Sequence, residues 1–111
     1  MTNGGEAAGT WLVKAGTDAG AYPGTLSLRR DAGAITGMWS GTFGNNLPVT
    51  GTWRDGYVEL TFTGDWPKAF GGAPGPVTAT FSGWIDGTTA KGRMRVDGRA
   101  DGSWSATRSS S

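Results

Sequence analysis

Any chemistry in this chain has to be done without two of the usual agents, because its 111 residues include no Cys and no His. That removes thiol nucleophiles, Ser-His-Asp relays, disulfides and zinc sites of the Cys/His kind together. A metal would need an all-oxygen carboxylate cage; no residues are assigned to one, and no cofactor is expected. Proton chemistry then falls to carboxylates. Glu59, flanked by Tyr57 and Thr61, is the first candidate, since a single carboxylate in a dry cavity can act as a base. Asp65 is the second. Asp65 with Asp97 and Asp101 could form a carboxylate pair at one end of the fold, but Asp97 and Asp101 bracket a turn, where turn geometry alone favours Asp.

Aromatic side chains offer a different chemistry, the holding of apolar or flat-ringed ligands. The connection Gly64–Pro76 carries Trp66 and Phe70 beside Asp65 and Lys68. Two large rings on a long loop form either a lid over a site or a plug of the core, and both readings stay open. Lys91, Arg93 and Arg95 alternate along one stretch. A nucleic-acid surface would interleave aromatics on that face. Trp84 is the one obvious neighbour, so the stripe reads as a solvated wall, with no nucleic acid as partner.

The elements that must position these residues are strands. Thr50–Phe62 sets two runs of β-branched and aromatic residues on either side of Asp55-Gly56, the pattern of a tight hairpin. After the turn Val58, Leu60 and Phe62 alternate with Tyr57, Glu59 and Thr61, a period of two. Glu59 faces inward only if that phase is reversed. The same logic predicts strands over 9–15, 24–30, 34–43, 47–54, 57–63, 77–85, 88–96 and 102–108. Residues 1–8 are expected to be a disordered lead and 109–111 a disordered tail around a single domain, 9–108. No stretch has helical periodicity. The fold class is all-β, an eight-stranded antiparallel up-and-down β-barrel, selected over a two-sheet sandwich because the connections are local.

Such a barrel gathers alternate connections at the same end. The turns 31–33, 55–56 and 86–87 are tight, whereas 16–23, 44–46, 64–76 and 97–101 gather at the opposite end. Ligand sites in small barrels occupy such mouths. The inward face predicted by alternation carries Trp39, Phe43, Trp53, Phe62, Phe81, Met94 and Trp104, with glycines between them. Either the rings fill the space above the glycines, or the glycines leave a cavity with aromatic walls. The 21 Gly follow no collagen period, and the net charge of +1 calls for neither a polyanion nor an anionic membrane.

Gly9-Thr10-Trp11, Ile35-Thr36-Gly37-Met38-Trp39, Val49-Thr50-Gly51-Thr52-Trp53 and Phe81-Ser82-Gly83 resemble the streptavidin/avidin pattern, and more broadly small calycin or lipocalin-like barrels. The order of elements is similar over nearly the whole chain. The resemblance implies a barrel with a ligand-holding interior, and a homo-oligomer contact through outward Trp84, Tyr57 and Leu12. It does not carry biotin chemistry. Where the family has an Asn two residues after the first Trp, this chain has Val13; the family's Tyr and nearby Ser correspond to Trp39 and Gly41, and its later Trp and Thr to Phe81 and Ala79.

The expected function is a small-molecule-binding barrel. Its apolar or aromatic ligand is held by Trp39, Phe43, Asn45, Asn46, Phe62, Asp65, Trp66, Phe70, Met94, Arg99 and Trp104. Two alternatives stand beside it: a small barrel enzyme of hydrolase, isomerase or cyclase type with Glu59 or Asp65 as acid/base, and an accessory module of a larger protein. Met1–Ala8 has neither a basic start nor an apolar run, so no leader and no membrane partner are expected. Compartment is left open.

Overall fold

The computed structural model describes residues 7–17, 20–66, 71–73, 75–97 and 100–109. Among them nine strands follow in order: β1 Gly9–Thr17, β2 Gly20–Ala21, β3 Gly24–Asp31, β4 Ala34–Gly41, β5 Gly44–Arg54, β6 Tyr57–Asp65, β7 Pro76–Asp86, β8 Thr89–Val96 and β9 Ala100–Arg108. Each main strand pairs antiparallel with the next, and β1 closes the cylinder on β9 from Trp11↔Arg108 to Thr17↔Gly102. This is the expected eight-stranded up-and-down barrel, with the two-residue β2 added against Gly16 and Thr17 of β1. Closure leaves no long edge of unpaired backbone groups.

The tight turns lie where the sequence puts them. Asp31↔Ala34, Arg54↔Tyr57 and Asp86↔Thr89 are the last pairs before two-residue connections. Asp55 and Gly56 both take positive φ, 52° and 93°, as a type I′ turn requires. The phase of β6 also holds: Val58, Leu60 and Phe62 are buried and Glu59 is exposed.

At the other end the boundaries move. The connection between β4 and β5 is Thr42-Phe43, not 44–46, so Asn45 and Asn46 belong to β5. The cause is Phe43, whose ring is buried among Tyr22 and Phe62. Anchoring that ring draws the turn two residues earlier, with Phe43 at φ 82°. Similarly, β6 and β7 extend to the pair Asp65↔Pro76, shortening the long connection to 66–75. Ahead of the expected boundary at residue 9, Ala7 is buried and its carbonyl accepts the Trp11 indole N–H at 3.0 Å.

One core fills the cylinder. Trp11, Leu26, Ile35, Trp39, Val49, Leu60, Phe81, Val96 and Trp104 are among its buried members. Trp53, expected inside, is only half-buried at the tight-turn end, with the Arg30 guanidinium carbon 4.2 Å above its ring. Two glycines show why small residues alternate with rings. A Cβ at Gly24 would run into the indole of Trp39, and one at Gly92 into the Ser82 carbonyl of β7. The first makes room for a ring, and the second lets two strands press together at a bend.

Candidate functional site

The rings expected to wall a cavity do meet, and they meet as a continuous solid. Tyr22 lies 5.1 Å from Phe43, and Phe43 lies 6.1 Å from Phe62. Phe62 stacks on Trp39 at 4.9 Å with the planes 17° apart. Phe81 then sits 5.6 Å from both Trp39 and Trp104. These spacings are the offset and tilted contacts that aromatic quadrupoles favour. Met94 is buried with them. Among the described residues, one interior void of about 10 Å³ is bounded by Trp11, Leu26, Leu28, Val58 and neighbouring apolar residues, about the size of one water probe and without polar partners to hold one. Of the two readings of the interior, the filled one is realised.

The mouth is plugged as well. Tyr22, Phe43 and Trp66 are 0%, 4% and 6% exposed. Trp66 is tied to its own loop, its backbone N–H donating to Gly75 at 3.0 Å and its indole N–H to Gly71 at 2.5 Å. Trp39 likewise donates to the Thr42 carbonyl and Trp104 to that of Ser82. Among the described residues no buried side-chain polar atom lacks a partner, so no donor is held ready for a ligand inside. The remaining expected site residues do not converge. Asn45, Asn46 and Asp65 are exposed at the end of the barrel where β4 meets β5 and β6 meets β7, and Phe70 and Arg99 lie outside the described residues.

The catalytic candidates share that exterior position. Glu59 stands outside, between Thr52 of β5 and Ser82 of β7, and no charged residue is buried among those described. Asp101 binds Arg95 at 3.1 Å instead of pairing with Asp97. Among the described residues no cluster of three metal-ligating side chains occurs. Among the described residues the acid/base alternative finds no buried carboxylate.

What the sequence reading missed is on the outside. A groove of about 1040 Å³ runs over β8 and β9. One bank is Leu12, Lys14 and Pro23, the other is Trp84 and Asp86, and the floor is made of Thr89, Lys91, Ser105 and Thr107. The banks stand three strand spacings apart, roughly 14 Å. Small outward side chains on β9 between larger ones on β1 and β7 create the depression. Trp84 is 60% exposed and Leu12 53%, and Tyr57 meets the Trp84 ring edge-on at 4.9 Å. The hairpin at Asp86 sets Lys91 opposite Trp84; Ser105 lies opposite Lys91, and Lys14 opposite Ser105. The first pair could be counted off the turn. The other two depend on the β8–β9 connection and on closure, for which the sequence holds no local signal.

Comparison with family models, with curated proteins and with solved structures found no match for the chain.

Proposed function

We propose that this barrel is a non-catalytic binding module that holds a small ring-bearing ligand on its outer wall. The observation that carries this reading is Trp84, a large ring 60% exposed on the bank of a groove and braced edge-on by Tyr57. Trp84 and the exposed Leu12 line the same groove, so the ring belongs to a shared apolar patch and not to a lone surface residue, and a rigid aromatic flank is what a stacking ligand requires. The packed interior supports the same reading from the other side, because the rings that would line an internal site are spent on one another. The fold supplies a stiff wall on which the groove residues keep fixed spacing.

Trp84 can be read separately from the other five tryptophans. Trp11, Trp39, Trp66 and Trp104 are buried and Trp53 is half-buried, so iodide should quench mainly Trp84. A panel of aromatic, lipid-like and sugar compounds is screened by thermal shift, and hits are tested for protection of Trp84 from iodide. A hit that protects Trp84 and is lost in Trp84→Ala supports the outer site. A hit that raises the midpoint equally in Trp84→Ala and leaves Trp84 open to iodide places the ligand elsewhere and overturns it.

A further inference from the structure

The outer groove has a charge pattern that narrows its ligand, an inference that rests on the binding reading above. Across the wall, the outward residues of one row run Arg54, Tyr57, Trp84, Lys91, Ser105 and Lys14, each opposite the next on the neighbouring strand. Three cations and two rings share that row, and it holds no carboxylate. Arg93 lies one row further along β8, between Ser82 and Ser103, in a row that Glu59 of β6 continues beyond Ser82. Lys14, Lys91 and Arg93 form no ion pair with a carboxylate among the described residues.

We propose that the groove binds an acidic polysaccharide, a uronate-bearing glycan laid across β7, β8, β9 and β1. Three features of the row meet three features of such a chain. The exposed face of Trp84 fits the apolar face of a pyranose ring. The hydroxyls of Ser105 and Thr107 on the floor match sugar hydroxyls, each able to donate and accept, and Thr89, whose hydroxyl donates to the Asp86 carbonyl at 3.2 Å, can still accept. Lys91 and Lys14 are two strand spacings apart, roughly 9.5 Å, so two carboxylates on one side of an extended chain can each meet an ammonium. Lysine suits this task as a mobile point charge with three donors.

Other occupants fit less well. Single-stranded nucleic acid binds by stacking successive bases on successive rings, whereas Tyr57 and Trp84 meet with their planes 62° apart and offer no pair of parallel platforms. A neutral apolar ligand would leave the lysines without a role. A second copy of the chain, facing this wall with the same wall, would set the cation row against itself.

The test uses oligogalacturonate, a neutral cello-oligosaccharide of equal length and oligo(dT), each titrated into the full chain. Protection of Trp84 from iodide is the readout, and sedimentation velocity runs in parallel. Oligogalacturonate should protect Trp84, with affinity falling as salt rises. Lys14→Gln/Lys91→Gln should weaken it about tenfold or more, the scale of losing a charge-assisted hydrogen bond, with an unchanged thermal midpoint. If the neutral oligosaccharide binds as tightly and the lysine variant is indifferent, the acidic class is wrong while the groove remains a site. Tighter binding of oligo(dT) overturns the glycan in favour of nucleic acid. Protection of Trp84 by self-association overturns it in favour of a dimer. If none of the probes protects Trp84 and the chain stays monomeric, the glycan proposal fails, and the small-molecule panel decides the groove separately.

Discussion

The guanidinium carbon of Arg108 lies 4.3 Å above the ring of Trp11, and the same side chain donates to the Ala8 carbonyl at 2.5 Å. The two residues are partners in the β1–β9 register, so the last strand clamps the start of the first through a planar cation on an aromatic face. Arg108→Ala should lower stability by about 1–2 kcal/mol, the range of a partly desolvated cation–π contact with its hydrogen bond. Arg108→Lys should recover only part of this, because an ammonium cannot both lie flat on the ring and bridge sideways. Urea unfolding of the three proteins checks the order.

Alternation places Trp53 inside and leaves Trp66 open between lid and plug, yet Trp66 is buried and Trp53 is half-buried under Arg30. Trp66→Ala should therefore cost about 3–5 kcal/mol, as for a core aromatic. Trp53→Ala should cost about 1–2 kcal/mol, nearer the ordinary range for substitutions. Unfolding midpoints measured together decide it, and a smaller loss at Trp66 would mean that the mouth is not sealed by its ring.

Phe43 carries a backbone conformation that bulky residues avoid, φ 82°, between Gly41 and Gly44. Removing its ring empties the space beside Tyr22 and Phe62 in either Phe43→Ala or Phe43→Gly. Only glycine also relieves the left-handed backbone. Phe43→Gly should accordingly be more stable than Phe43→Ala by about 1 kcal/mol, the reverse of the usual order in a strand. Chemical denaturation of both variants tests the sign.

Trp84→Ala should leave stability within about 1 kcal/mol of the parent, since an exposed ring off the core contributes little. It should abolish most iodide quenching. A large loss of stability would instead make Trp84 a structural brace for Tyr57.

Legibility in the sequence followed the range of the interaction. Asp55-Gly56 declares its own turn, and the alternation after it declares which residues of β6 face inward, because both depend on neighbours within a few positions. Tyr22 was invisible for the opposite reason. It stands before a proline in a glycine-rich stretch and finds a buried partner in the distant Phe43, while its hydroxyl meets Thr17 at 2.5 Å. Phe43 itself shifted a turn through tertiary packing that no local propensity encodes. The groove row depends on closure, so Lys14 and Lys91, 77 positions apart by subtraction of their numbers, could not be joined in advance.

The seam between β1 and β9 also sets the order of events in time. Every other main pairing joins strands adjacent in the chain and can form as a local hairpin, but the Arg108–Ala8 bond spans 100 positions. Loop-closure entropy makes such a join slow to nucleate, so the hairpins assemble first and the cylinder shuts last. Contacts made after the barrier act on the rate of opening, not of forming. The Arg108 clamp is thus a kinetic fastening: weakening it should hasten unfolding while refolding proceeds at nearly its old pace.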